Sequence, residues 1–479
     1  MSSPPEVNAA SGRTDGLLLA LGAGLLYALA APDLLWGTDS LALLHGVQTG
    51  ETSHSTHLLY LPLVAAFARW GEMVGFDAFL CLRAASTLAT AFGLWACHRA
   101  SLALGADRRR AAALTVIIAA TPAVAFFAMI VEIQGVFFAF IGLTWLAAAR
   151  AVRRPGVWSV ALLGLCTGLS SMAHSSGHLL PLLVGTFALM HSEALRKRCL
   201  LLGLVGGAAH AAIPVALSTL TGLPVLPALR ASFQFVDIAA RLSSPLGAST
   251  SIVLYEWFMP FMPLSLAVFA ALRDHRLRKH FFALHGFLLV YGMLAWPLLA
   301  ASWDERVMEH GGYFVPLVFP LAWLVLRPGR TRRVAWLAPA GLVVTLGLTW
   351  GEAIRQSDPF ATEDALSVVG DGGAILLTHS SENVLELMLA NPRVEIYRMD
   401  QITGVTARSQ AINTAFDIMV AEAGESGLPV LMTGRLQEAL EQNDLPVWQH
   451  IHRHYALRTR DRGDFEGDLI VRRTGKRPR

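Results

Sequence analysis

Between Ala31 and Arg83 the chain gathers Asp33, Asp39, Glu51, His45, His54 and His57 into one polar stretch, while the segments on either side are oily. Ionisable groups beside a bilayer are costly, so a chain with only 15% charged residues that concentrates them here marks the stretch as a reaction site. A carboxylate in such a loop can take the proton of an attacking hydroxyl as the new bond forms. Asp33 and Glu51 read as solvated loop acids. His54 and His57 have the spacing of a metal pair, but HxxH without a third neighbouring ligand is weak evidence for zinc.

The elements that must carry this loop are membrane helices. The chain has 479 residues and 54% hydrophobic content, and its mean hydropathy is +0.49, the profile of a polytopic membrane protein. A spanning helix needs about 20 apolar residues. Spans are expected at 17–33, 78–103, 111–131, 135–152, 157–174, 178–193, 199–220, 252–272, 281–301, 313–327 and 334–354, eleven in all. The polar leader to Gly16 carries one cation, Arg13, beside Glu6 and Asp15, which favours a retained first helix over a cleaved signal. The run 56–74 holds Arg69, Trp70 and Glu72 and is expected to lie on the surface as an amphipathic helix. With that run left out of the count, the basic clusters at 98–110, 150–155, 196–198, 273–280 and 327–333 all fall on one side, as the positive-inside rule requires. The first outer loop is then 34–77, and the C-terminus also emerges outside.

From about Ile354 the composition changes, so the expected domains are a membrane domain over 1–354 and a soluble extracytoplasmic domain over 355–479. Alternating strand and helix patterns in the second favour a small α/β domain with a largely parallel sheet, ending in a basic tail. Gly370, Gly372 and Gly373 precede a strand, whereas a dinucleotide loop follows one, so they do not mark a nucleotide site. The net charge of +3 and the scattering of arginines give no basis for nucleic-acid binding. Cys81, Cys97, Cys166 and Cys199 show neither metal spacing nor a pairing pattern.

Several segments resemble those of the GT-C glycosyltransferases, multispanning enzymes that take a sugar from a polyprenyl-phosphate carrier. WGTDSLALLHG looks like the first-loop segment with the family's catalytic acid, which implies that role for Asp39. HSTHLLYLPLVAAFARW is similar to the His-Pro-Pro-Leu-Tyr stretch that follows, matching at His57, Tyr60 and Pro62 and with leucines in place of the paired prolines. FDAFLCLRAASTL resembles the start of the second spanning helix, where an arginine faces the lipid phosphate; here that is Arg83. ATPAVAFFAMIVEIQGVFFAF resembles the next outer turn with its acid, Glu132. GLSSMAHSSGHLLPLL, with His174 and His178, and ERVMEHGGYFVPLVFP, with Arg306, Glu309 and Tyr313, are similar to two later segments. The paired histidines point toward the protein O-mannosyltransferase-like branch. The resemblance implies an α-helical polytopic GT-C-like fold, a polyprenyl-phosphate sugar as donor, and a protein or cell-envelope glycan or lipid as acceptor.

The residues suit that chemistry. Asp39 is the expected base. A cation at a helix end would stabilise the departing phosphate mainly in the transition state, and a guanidinium offers a planar fork, so Arg83 is expected there with Arg306 as a second candidate. Arg83 has a bland reading too, as a side chain snorkelling to the interface. Glu132 could orient the acceptor, assist as a second acid, or join Asp39 in holding magnesium or manganese. No residue argues for a covalent intermediate, so a one-step, inverting displacement is expected. His57, Tyr60, His174, His178, Glu309 and Tyr313 complete the expected substrate site. The expected location is a bacterial inner membrane. Two other classes compete: a transporter or lipid-carrier flippase, against which stands the collection of ionisable groups at one face, and a non-catalytic accessory subunit with this fold.

Overall fold

The computed structural model describes residues 9–51, 58–221, 258–266, 312–326, 336–356, 360–370, 372–399, 409–442, 446–460 and 464–472. The protein is a helical, multispanning membrane protein with a C-terminal α/β domain. In the membrane part, α1 (Ala9–Ala30), α2 (Gly37–Thr49), α3 (Tyr60–Glu72), α4 (Ala78–Ala103), α5 (Arg108–Ala119), α6 (Pro122–Met129), α7 (Ile133–Arg153) and α8 (Val157–Ala173) follow one another. A 3₁₀ turn at Ser175–Leu179 leads to α9 (Leu180–His191), α10 (Glu193–Lys197) and α11 (Cys199–Thr221). Later come a 3₁₀ turn at Gly312–Leu317, α12 (Val318–Val325) and α13 (Ala338–Arg355).

Among the described residues, α4, α7 and α11 are long and apolar enough to cross a bilayer. They fall on three of the expected spans. The expected span 111–131 is instead broken into α5 and α6, bent by 61°. The cause is local. Pro122 has no N–H to continue the helix, and it pushes Thr121 into extended backbone at φ −75°, ψ 122°. The expected spans at 252–272 and 281–301 lie largely or wholly outside the described residues.

Glycines set how closely the spans approach. A Cβ at Gly93 would sit 2.6 Å from the Phe138 carbonyl, and one at Gly142 would sit 2.6 Å from the Gly93 carbonyl, so α4 and α7 meet backbone to backbone. Packing of this kind replaces the hydrophobic drive that is missing between helices in lipid. Trp145 fills the centre of the bundle, stacked 5.1 Å from Phe319.

The amphipathic helix expected over 56–74 is α3. At thirteen residues it is about 20 Å long, too short to span. It buries Tyr60, Leu61, Val64, Ala65 and Ala68 and exposes Leu63 and Trp70, followed by exposed Met73, Val74 and Phe76.

The C-terminal domain runs α14 (Thr362–Val369), β1 (Ala374–Thr378), α15 (Leu385–Ala390), β2 (Val394–Arg398), α16 (Ser409–Glu425), β3 (Val430–Thr433), α17 (Gly434–Gln442), α18 (Pro446–His454), β4 (Tyr455–Thr459) and β5 (Gly467–Arg472). The sheet order is β2-β1-β3-β5-β4. β1 pairs in parallel with β2 and β3, while β5 is antiparallel to both β3 and β4. The sheet is therefore mixed, a correction to the largely parallel expectation, and the expected basic tail holds α18 and the paired strands β4 and β5. The charged run RTRDRGD, which begins within β4, disguises the strand in the sequence. Gly370 closes α14 at φ 67° and Gly373 enters β1 at φ 83°, so both serve turns.

One apolar core crosses between the two parts. Leu41, Leu44, Tyr60, Leu82 and Val131 of the membrane part pack in the same cluster as Leu376, Leu385 and Ile396 of the sheet domain.

Candidate functional site

The first turn of α2 carries Asp39, which is exposed. A carboxylate there is favoured by the positive end of the helix dipole. The N-cap residue is Trp36, which supplies no side-chain cap. Tertiary contacts fix the start of the helix instead. The Trp36 ring meets Phe126 and Phe127 edge to face, with centroids 5.5 and 5.9 Å away. Ser40 donates its hydroxyl to the Val131 carbonyl. Asp39 and Glu132 are thus the sequence neighbours of two hydrogen-bonded residues, and the first loop is tied to the second turn.

Glu132 is buried and caps α7, its Oε1 accepting from the Ile133 N–H at 2.8 Å. Ser86 on α4 donates to the Glu132 carbonyl at 3.3 Å. Tyr60 opens α3 and is fully buried; burial, helped by the charge of Glu132, pushes its phenol pKa upward. Its hydroxyl has no hydrogen-bond partner among the described residues.

Arg83, one turn into α4, forms an ion pair with Asp33 and donates to the Pro32 carbonyl at 3.3 Å. Its guanidinium lies 5.2 Å from the centre of the Phe79 ring. Asp33, expected as a solvated loop acid, has a 76% exposed side chain but holds the arginine.

His174 ends α8, buried and stacked on Phe137 at 4.9 Å. Its Nδ1 accepts from the Ser176 N–H at 3.1 Å, so the neutral ring carries its proton on Nε2. The Leu59 N–H donates to the Met172 carbonyl at 3.0 Å, which brings this turn beside the start of α3. His178 lies half-buried in the 3₁₀ turn.

His57, Arg306 and Glu309 lie outside the described residues, as does the side chain of Tyr313. The segment holding Tyr313 nevertheless reaches the site. A Cβ on Gly312 would meet Phe127 and Gln134 at 3.0 Å, so that 3₁₀ turn packs against the first turn of α7. Among the described residues, no three His, Cys, Asp or Glu side chains converge to hold a metal ion.

Two contributors carry no signal in the sequence. Ser40 sits beside Asp39 in the quoted motif, and nothing in a serine's identity marks a tertiary bond. Arg398 ends β2, is fully buried, and donates to the Leu35 carbonyl at 2.9 Å. It reads in sequence as one more arginine at a strand end.

The arrangement therefore places Asp39 near the Glu132 turn, with Tyr60 within electrostatic reach of Glu132 and the Arg83–Asp33 pair at the head of the same loop. An exposed carboxylate, a buried carboxyl and a guanidinium are groups of the kinds that can deprotonate a hydroxyl and receive an anionic leaving group.

No family model matches the chain, and no curated protein matches it. Solved structures do. ArnT from Cupriavidus metallidurans in the apo state is 15% identical with a TM-score of 0.46 over 96% of this chain and 98% of its own. The same protein bound to undecaprenyl phosphate gives 14% and 0.42 over the same shares. The Archaeoglobus fulgidus oligosaccharyltransferase, in complex with zinc and sulfate, is 12% identical with a TM-score of 0.44 over 94% of this chain and 72% of its own. The arabinofuranosyltransferase AftD from Mycobacteria is 14% identical with a TM-score of 0.41 over 98% of this chain and 40% of its own. No residue's role is carried over from these likenesses.

Proposed function

We propose that this protein is a membrane glycosyltransferase that moves a sugar from a polyprenyl-phosphate donor to a hydroxyl of a protein or cell-envelope glycan or lipid, at the extracytoplasmic face of a bacterial-type inner membrane. The observation that carries the reading is the tie between Ser40 and Val131, which holds the Asp39 turn against the Glu132 turn.

In this reading Asp39 takes the acceptor proton as the acceptor oxygen bonds to the anomeric carbon. The bond from that carbon to the phosphate oxygen breaks at the same time, and polyprenyl phosphate leaves with the electron pair. The configuration inverts. Arg83 stabilises the charge gathering on the phosphate, which is an interaction stronger in the transition state than in the ground state. Tyr60 and His174 supply donors to the sugar or phosphate oxygens, and Glu132 orients the acceptor. Asp39 and Glu132 are two oxygen ligands a divalent ion could use, without a third side chain among the described residues.

The test is a panel of radiolabelled polyprenyl-phosphate sugars given to the purified protein in proteoliposomes, with acceptors varied and the anomeric configuration of the product read by NMR. Transfer with inversion supports the reading. Movement of the intact lipid-linked sugar across the bilayer with no transfer to any acceptor would replace it with the flippase alternative.

A further inference from the structure

We infer that Arg398 is the positioning residue through which the C-terminal domain holds Asp39 in register for proton abstraction. This inference rests on the reading of Asp39 as the base.

Arg398 stands at the end of β2, paired in register with Thr378 of β1, and it is fully buried. Its fork serves three segments at once. Nη1 donates to the Leu35 carbonyl at 2.9 Å; Nη2 donates to Gln356 Oε1 at 3.1 Å and to the Glu382 carbonyl at 3.5 Å. Leu35 comes from the membrane part, Gln356 ends α13, and Glu382 follows β1. One guanidinium therefore fastens the entry to α2, the exit from the membrane domain and the sheet to one another.

The Leu35 carbonyl is the last before Trp36, the N-cap of α2. The Trp36 side chain gives no cap hydrogen bond, and the tertiary contacts that grip the chain on either side of this residue help to set where the first turn of α2 lies. Arg398 grips it from upstream and Ser40 from within the turn. Further along, Gln48 on α2 donates to the Met388 carbonyl of α15 at 3.1 Å. Leu41 and Leu44 share their core with Leu376 and Leu385. The sheet domain thus holds α2 at both ends and along its buried face.

Reactive geometry is unforgiving of small shifts. A displacement near 1 Å of a positioned group costs on the order of a hundredfold in rate. Loosening Leu35 would move the turn bearing Asp39 while leaving the donor-contacting residues Tyr60 on α3, Arg83 on α4 and His174 at the end of α8 in place. A lysine at 398 keeps the charge but reaches fewer of the three acceptors, because an ammonium lacks the planar fork.

The experiment compares wild type, Arg398→Lys, Asp39→Asn and the double variant in the reconstituted transfer assay. Arg398→Lys is expected to lower kcat at least tenfold and to leave the donor KM within about twofold. The double variant is expected to be no slower than Asp39→Asn alone, since a base that is absent cannot be mispositioned. Gln356→Leu removes one acceptor of the fork and is expected to give a smaller loss of the same kind, and it carries the test if Arg398→Lys fails to fold. Full kcat in both Arg398→Lys and Gln356→Leu, or a double variant slower than Asp39→Asn by the whole factor of the single one, would overturn the inference while leaving the base reading intact. Undiminished transfer by Asp39→Asn would remove the base reading itself, whatever Arg398 does.

Discussion

Arg83 is already ion-paired with Asp33, across 50 residues of chain, at the head of the first loop. A lipid phosphate that engages this guanidinium must compete with a carboxylate that is itself mostly exposed. Exposed pairs are weak, about 0 to 1 kcal/mol, so the exchange is feasible. Asp33→Asn is expected to lower the donor KM several-fold by removing the competitor, with kcat near wild type. Arg83→Gln is expected to lower kcat/KM about a hundredfold. Both are read from initial rates against donor concentration, and a donor KM indifferent to Asp33 would place the phosphate elsewhere.

Tyr60 buries a hydroxyl for which the described residues supply no partner. An unsatisfied buried polar group costs about 1–3 kcal/mol. Tyr60→Phe should therefore raise the melting temperature of the ligand-free protein, and if the hydroxyl serves the donor it should also raise the donor KM. Thermal unfolding with and without polyprenyl phosphate checks both: the variant gains stability alone and loses part of the stabilisation that the lipid gives. A simple loss of stability would mean the hydroxyl is satisfied.

Glu132→Gln keeps an oxygen that can accept from Ile133 and removes the charge. Its melting temperature is expected to stay within a few degrees of wild type while kcat falls about tenfold or more. An unchanged kcat would make Glu132 a helix cap and nothing else.

In the C-terminal domain, Asp417 accepts from Tyr455 Oη at 2.6 Å and from His450 Nε2 at 2.8 Å. Burial pushes the carboxyl pKa up, but the hydrogen bonds from Tyr455 and His450 and the positive charge of His450 and His454 outweigh it, and the net shift is downward. A carboxyl whose pKa is depressed on folding contributes stability above its unfolded value, near 4, and loses that contribution as pH falls through the folded value. The domain should therefore weaken below about pH 4 in part through Asp417, and Asp417→Asn should flatten that part of the curve. Denaturation followed by far-UV circular dichroism between pH 3 and 6 would show it; identical curves for the two proteins would contradict the assignment.

Much of the architecture was legible because lipid imposes it. α4, α7 and α11 begin and end within about two residues of the expected spans, since a length of apolar sequence is itself the signal. The break at Pro122 was missed because hydropathy ignores backbone donors. The mixed sheet was missed because β4 and β5 are short and heavily charged at their hairpin, so their composition imitates a tail. Asp39, Glu132, Arg83, Tyr60 and His174 stand out in the sequence through the family resemblance of the segments that hold them, and their roles are proposals. Arg398 does not stand out, because its importance lies in a contact 363 residues away in sequence. Ser40 does not either, since a hydroxyl's partner is a matter of tertiary structure.

The bundle makes its own prediction. Gly93 faces the backbone of Phe138 so closely that Gly93→Ala must push α4 from α7, which should destabilise the protein by about 1–3 kcal/mol as overpacking does. Unfolding in mixed micelles measures it, and an unaffected midpoint would mean the helices can separate without cost.

The proposed transfer turns on Asp39 removing the acceptor proton. The most direct measurement is the single-turnover rate of sugar transfer by Asp39→Asn, with donor binding checked on the same preparation. A rate lower by about a hundredfold to ten-thousandfold, with donor affinity retained, is expected. Transfer at the wild-type rate would contradict it.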